Sequence, residues 1–166
     1  MVNLEVGVTY GGEVFAGDRV DNQHVYYPTK LNKKAALALD KGDIVYCDPT
    51  DSGKARLADT GDPGPFYMVY EDTPASALRV HVWHDEGNWL LGSIVGAADP
   101  NTKLVPDGGK LVAQGADVTT GVYGVLMGIP DQEAELTAGN VLQEGLTTDG
   151  LGVVKVHNIE RLPVAP

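Results

Sequence analysis

Two histidines and two acidic residues lie close together at residues 81–86: His81, His84, Asp85 and Glu86. Imidazole and carboxylate groups are common ligands of zinc. The pattern around them is typical of a strand, however, and strand residues three positions apart point to opposite faces of the sheet. His81 and His84 would then not share one ion. The sequence therefore favours a strand followed by an acidic turn, and it predicts neither a metal ion nor another cofactor.

No residue pattern in the chain supports nucleophilic catalysis. The motif Gly-x-Ser-x-Gly is absent, and Cys47 lies between Tyr46 and Asp48, where nothing in the sequence would activate a thiol. Residues 106–110 place two glycines before a lysine, but they lack the upstream glycine of a phosphate-binding loop and precede strand-like residues. We therefore expect a hairpin turn at this point, no catalytic residue, and a protein that is not an enzyme.

Trp83 and Trp89 are the candidate interface residues. Together with nearby tyrosines they could form an aromatic platform for a sugar or for a protein partner, because aromatic side chains are enriched at binding surfaces. The alternative is that they fill the core of a β protein, since Trp83 and His81 alternate with Val80 and Val82 along one predicted strand. The sequence leaves both interpretations open.

The charge and composition limit the classes of partner. The chain has 166 residues and 43% hydrophobic residues, with 12 Lys and Arg against 23 Asp and Glu, a formal net charge of −11. A net negative charge opposes binding to phosphates, so we expect no direct contact with nucleic acid.

A lone cysteine allows no disulfide within the chain. The first residues lack the features of a signal peptide, and no stretch resembles a membrane span, so we expect a soluble protein made in a cytoplasm, with no membrane partner.

Short apolar segments separated by Gly, Pro, Asp and Asn predict a protein made mainly of β-strands. The predicted strands are 44–46, 55–57, 66–70, 78–83, 88–91, 93–97, 110–113, 122–127 and 151–156. Strands that recur every 8 to 12 residues or so are typical of a small barrel or sandwich. Residues 31–39, rich in Lys, Ala and Leu, predict one short helix. Residues 131–144 predict a loop with one helical turn.

An extended N-terminal arm is predicted at residues 1–22, followed by a β-rich body at 23–166. Apolar residues alternate with polar or small ones at the start of the chain, which is the two-residue period of a strand. Its apolar positions are Val2, Leu4, Val6, Val8 and Tyr10. The segment could pair with a neighbouring protein, and we assign these five residues to that contact. The alternative is an edge strand of the protein's own sheet.

Two segments of the chain resemble each other at an offset of 50 residues. Residues 42–45, Gly-Asp-Ile-Val, are followed by Asp48-Pro49, and residues 92–95, Gly-Ser-Ile-Val, are followed by Asp99-Pro100. In each copy a strand with basic and apolar residues comes next, and then one with aromatic residues and valine. The similarity predicts a body of two related β-units. Convergent turn composition is the alternative explanation.

Residues 35–130 resemble the capsid decoration, or cement, proteins of tailed bacterial and archaeal viruses. The resemblance rests on Leu39-Asp40-Lys41-Gly42-Asp43-Ile44-Val45, on the following segment 54–58, on Val69-Tyr70-Glu71-Asp72, and on Gly121-Val122-Tyr123-Gly124-Val125-Leu126. In that family, a Gly-Asp followed by an apolar pair begins a small β-rich body. The chain is larger than a minimal cement protein because of the predicted arm and the 131–144 loop.

The resemblance implies a structural virion protein on the outer capsid surface. Such proteins form homotrimers at local threefold positions, where a terminal arm engages the major capsid protein and the trimer bridges capsomers. The arm predicted here from alternation would suit that role. The alternative function, which rests on the tryptophans and the acidic composition, is a carbohydrate-binding or adhesive β-module.

Overall fold

The computed structural model describes residues 14–131 and 134–157. They form a mainly β protein with a closed five-stranded barrel and a second sheet, which confirms the fold class predicted from the sequence. The strands are β1 (Thr29–Leu31), β2 (Ile44–Asp48), β3 (Lys54–Leu57), β4 (Phe66–Val69), β5 (Val80–Trp83), β6 (Trp89–Ile94), β7 (Lys103–Asp107), β8 (Lys110–Ala113), β9 (Gly124–Pro130), β10 (Val141–Leu142) and β11 (Gly150–Val156).

The second sheet is antiparallel, with the strand order β1-β5-β4-β2-β3. A short turn joins β2 to the edge strand β3. A 3₁₀ turn at Pro49–Asp51 connects β2 to β3, and the Asp48 carboxylate accepts a hydrogen bond from the Thr50 amide at 2.8 Å. Ser52 and Gly53 then adopt positive φ angles, which return the chain for antiparallel pairing.

The barrel has the strand order β9-β11-β6-β8-β7 and closes through pairing of β7 with β9. β10 extends it by pairing with β9. Every pair in the barrel is antiparallel except β6 and β8, which run parallel and meet at Ile94 and Leu111. Closure removes the free edges that these strands would otherwise present.

Three apolar clusters hold the two sheets and their covering loops together. The central cluster joins the barrel interior to one face of the second sheet, and it includes Ile44, Phe66, Met68, Leu104 and Leu126. A second cluster covers the other face of that sheet, around Val45, Val69, Val80 and Val82. A third lies on the barrel's outer wall, around Val20, Leu91, Leu136 and Val153. The inner strands β2, β4 and β5 of the second sheet are therefore buried on both faces.

The helix predicted at residues 31–39 is wrong. Ala35 forms a bridge with Ala55, and Leu39 forms one with Thr73, so this segment runs along the second sheet in extended and bent conformations. Both side chains are buried in the second cluster. Backbone pairing and burial here outweigh a helix propensity of a few tenths of a kcal/mol per residue.

Among the described residues, no helix is long and apolar enough to cross a bilayer.

The two similar segments, 42–45 and 92–95, occupy different positions in the fold. Ile44 begins β2 in the second sheet, whereas Ile94 ends β6 in the barrel. Only residues 93 and 94 of the strand predicted at 93–97 are in a strand, at the end of β6, which also contains most of the segment predicted at 88–91. Within the predicted loop 131–144, a 3₁₀ turn at Ala138–Asn140 precedes β10.

Candidate functional site

Trp83 is a core residue. Its side chain is 7% exposed and belongs to the central cluster. The indole Nε1 donates a hydrogen bond to the carbonyl oxygen of Gly17 at 3.0 Å, and the ring meets Tyr70 edge to face with centroids 5.2 Å apart. Trp83 therefore fastens residues 14–22 to the second sheet.

Trp89 lies on the barrel's outer wall and is half-buried. It pairs with Lys155 across β6 and β11 and packs on the third cluster. It also borders a surface groove with Tyr26 and His24. Trp83 and Trp89 belong to different clusters, so the structure does not bring the two predicted interface aromatics into one platform.

The predicted arm is described only in part. Val2, Leu4, Val6, Val8 and Tyr10 lie outside the described residues. Residues 14–22, also assigned to the arm from the sequence, pack on the body. The Gly17 amide donates to the Leu91 carbonyl at 2.8 Å and the Val20 amide to the Trp89 carbonyl at 2.7 Å. This segment thus lines the part of β6 that β8 does not reach, and Val20 is fully buried.

The histidines and acidic residues at 81–86 do not gather around one point. The His81 Nδ1 contacts the Glu71 carboxylate, while the His84 ring lies 5.6 Å from that of Tyr67. In residues 14–131 and 134–157, no three His, Cys, Asp or Glu side chains are placed to hold a metal ion together.

Burial raises the pKa of the Cys47 thiol, which opposes formation of the nucleophilic thiolate.

The free edge of the second sheet is the surface that the sequence reasoning missed. Within the described part of the chain, no other strand pairs with the outer edge of β1. Exposed apolar side chains flank β1 and its partner β5: Val25 is 73% exposed, Tyr27 72% and Leu78 77%. Tyr27 and Leu78 precede their strands by two residues each, so they flank opposite ends of this antiparallel pair.

Two cations lie at this open edge: Lys30 in β1, and Arg79 directly before β5. Both are exposed and form no salt bridge within the described ranges. Lys33 and Lys34 follow β1 where the edge is closed, because the Ala55 amide of β3 donates to the Lys34 carbonyl at 2.9 Å and the Lys33 ammonium lies beside Gly53. Glu71 also lies close by, in contact with His81, which pairs with Lys30. We call Lys30, Arg79, β1 and the three exposed apolar residues the β1 edge surface.

The β1 edge surface has the composition of a contact site. An unpaired strand edge offers backbone donors and acceptors to an incoming strand, and exposed apolar side chains add area to bury. Lys30 and Arg79 carry a charge opposite in sign to the net charge of the chain, which favours a partner that meets them with acidic groups. The sequence gives no sign of it, since Lys30 directly precedes the segment predicted as a helix and Arg79 lies in the predicted strand 78–83.

Comparison with protein-family models yields no match, and no curated protein matches the chain.

Proposed function

We propose that this protein is a structural virion protein that binds the outer surface of a viral capsid as a homotrimer and stabilises the shell by bridging capsomers. The sequence resemblance at residues 35–130 suggests the class. The observation that carries the proposal is the β1 edge surface: an open strand edge with exposed apolar and cationic side chains on an otherwise acidic protein.

The barrel and second sheet would act as the rigid body that presents this edge. The inner strands of the second sheet are buried on both faces, and Leu31 of β1 packs on the second cluster, which holds the edge in position. A rigid contact surface loses little conformational entropy on binding. In this proposal, the major capsid protein supplies the acidic and apolar counterpart, and the N-terminal residues predicted as an arm add a second contact.

Shell stabilisation would follow from association energy. Surface buried across a joint between capsomers must be exposed again before the joint opens, so bound copies raise the free energy of rupture. A trimer places three contacts on one particle, and the second and third form at a high effective concentration. Each contact can therefore be modest while the trimer remains bound.

Co-sedimentation with shells tests the proposal. Shells are assembled from the major capsid protein of the virus that encodes this chain, and they are pelleted with the purified full-length protein. Leu78→Asp should reduce the pelleted fraction at least tenfold, because it places a carboxylate in the contact. Val118→Asp is the matched control, since Val118 is 73% exposed in a loop away from β1. Equal pelleting of the two variants would contradict the assignment of the contact.

Ionic strength gives an independent check of the same surface. If the cations at β1 face an acidic partner, pelleting should weaken as salt is raised from about 0.05 M to 0.5 M, because exposed charge pairs are screened. The double variant Lys30→Glu with Arg79→Glu should lose both binding and its salt dependence. Binding that is unaffected by salt and by this charge reversal would remove the electrostatic part of the proposal.

A further inference from the structure

A surface groove lies on the barrel side of the molecule, between residues 21–26, β6, β11 and the Ala138–Asn140 turn. It consists of two cavities of about 360 and 420 Å³, which share Asn22 and Ala138 in their walls. Each volume is within the range of about 300 to 1,000 Å³ that is usual for ligand sites, and because the two cavities adjoin, a ligand of several linked units can extend through both. We call it the Trp89 groove.

The first cavity combines aromatic rings with a free cation. Trp89, Tyr26 and His24 border it together with Lys155. Lys155 faces the groove from the strand next to Trp89 and forms no salt bridge among the residues described here. The aromatic side chains add apolar area to the wall of the groove, and the ammonium group supplies hydrogen-bond donors.

The second cavity is lined by short polar groups: Asp21, Gln23, Thr137 and the shared Asn22. Together they offer amide, hydroxyl and carboxylate partners, both donors and acceptors. The single acidic side chain here and the net charge of −11 oppose a phosphate-rich ligand. A ligand that has many hydroxyl groups and also an apolar C–H face fits both cavities, and this is the chemistry of a sugar chain.

Contacts within the walls fix the groove before any ligand arrives. The Asn22 amide nitrogen donates to the Gly87 carbonyl at 3.0 Å, and its oxygen accepts from the His24 amide at 3.3 Å. The Arg19 guanidinium lies over the Tyr26 ring, 5.9 Å from its centroid, and donates to the His24 carbonyl. Groups that are already positioned lose less entropy on binding.

We propose that the Trp89 groove binds an oligosaccharide, with one sugar ring packed on Trp89 and hydroxyl groups bonded to Asn22, Gln23 and Thr137. Lys155 contacts an oxygen of the ring on Trp89 or of its substituent. This function goes beyond shell attachment, which we assign to the β1 edge surface. Along residues 24–27 the two surfaces alternate: His24 and Tyr26 border the groove, whereas Val25 and Tyr27 are exposed outside it.

A glycan array probed with the full-length protein tests the proposal. The array carries neutral hexose oligosaccharides and oligosaccharides that contain uronic or sialic acid, and the strongest glycan is then titrated by calorimetry. The wild-type protein should bind at least one class, and the two arms show whether Lys155 meets a carboxylate. An array on which the wild type binds no glycan overturns the proposal.

Two groove variants and one control assign the binding to this site. Trp89→Ala should weaken the titrated affinity at least tenfold, and Ala138→Phe should do the same by filling both cavities while the aromatic wall stays intact. Tyr27→Ala should bind within twofold of wild type. If Trp89→Ala fails to fold, the affinity of Ala138→Phe for the glycan decides whether binding occurs in the groove. An Ala138→Phe variant that binds with the affinity of the wild type would contradict the assignment to the Trp89 groove. Shell pelleting should be unaffected by Ala138→Phe, which keeps this test separate from that of capsid attachment.

Discussion

Arg56 binds the carboxylate of Asp62 at two points, with Nη1 2.7 Å from Oδ2 and Nη2 2.8 Å from Oδ1. The same guanidinium donates through Nε to Asp48 at 2.9 Å and lies 5.2 Å from the centroid of the Tyr46 ring. One side chain thus ties β2, β3 and the turn at residues 58–62 together. The planar guanidinium suits this arrangement because its donors point in several fixed directions at once.

Arg56→Lys should destabilise the protein by about 1 to 2 kcal/mol, because an ammonium group cannot make the two-point contact and reach Asp48 as well. The free energy of unfolding from urea titration measures the loss. Lys54→Arg is the control, since Lys54 makes one exposed salt bridge with Asp51 at 3.6 Å. A loss no larger in Arg56→Lys than in this control would contradict the structural role of the cluster.

Stability should fall in acid as hydrogen-bonded carboxylates are protonated. The Thr50 hydroxyl and then the Arg56 guanidinium hold the pKa of Asp48 at about 2. The Thr120 hydroxyl, with the Thr119 amide and hydroxyl, holds the pKa of Asp117 at about 2. A pKa that is lower in the folded state adds stability above the unfolded value near 4, and this stability is lost as the pH falls towards 2.

Asp117→Asn tests that dependence. It should reduce stability near pH 6 and have much less effect near pH 2, where about half of the wild-type carboxylate is protonated and most of its stabilisation is lost. Urea midpoints measured across this range give the comparison. Asp85→Asn, at an exposed position in a turn, serves as the control. A deficit for Asp117→Asn that is as large at pH 2 as at pH 6 would show that the hydrogen bonds do not depend on the charge.

Two adjacent positions test the register of β6. Ile94 is 1% exposed in the central cluster, whereas Val95 is 40% exposed. Ile94→Asp should abolish folding, because an unpaired buried charge costs several kcal/mol of a total stability of about 5 to 15 kcal/mol. Val95→Asp should lower the melting temperature by only a few degrees. Circular dichroism melting curves separate the two, and similar melting of both variants would show the register to be shifted.

Trp83→Phe tests the anchoring of residues 14–22. The change removes the indole donor to Gly17 and should cost about 1 kcal/mol. Hydrogen exchange should quicken at the Gly17 and Val20 amides, which bond to the carbonyls of Leu91 and Trp89. Trp89→Phe removes no such bond and should leave these amides protected. Equal exchange rates in the two variants would show that the indole hydrogen bond does not hold the segment.

The sequence predicts the strands well where alternation and turn residues agree, as at β2, β3, β4 and β8. It fails where pairing with distant residues decides the conformation. Residues 31–39 look helical by composition, yet their backbone bonds with the segments around Ala55 and Thr73. β7 was missed because Pro106 and the glycines after it suggest a turn, although Pro106 pairs with Leu111.

No local pattern in the sequence predicts the closure of the barrel either. It depends on the pairing of β7 with β9 and on the parallel contact of β6 with β8, both between segments with separate local patterns. The sequence does not predict the two candidate surfaces either. Trp83 and Trp89 look alike in the sequence, but only the folded chain places one in the core and the other beside a groove. The β1 edge surface arises because Leu31 pairs with Val80, which places Arg79 at the end of β1.

Electron cryomicroscopy of shells incubated with the full-length protein tests capsid decoration most directly. We expect added density at local threefold positions, with a volume matching three chains of 17.5 kDa and the β1 edge surface facing the shell. Deletion of residues 1–12 should leave the body folded but lower the occupancy, because those residues are assigned to the second contact. Shells that carry no added density at saturating protein, or that bind single copies away from the threefold positions, would contradict the account.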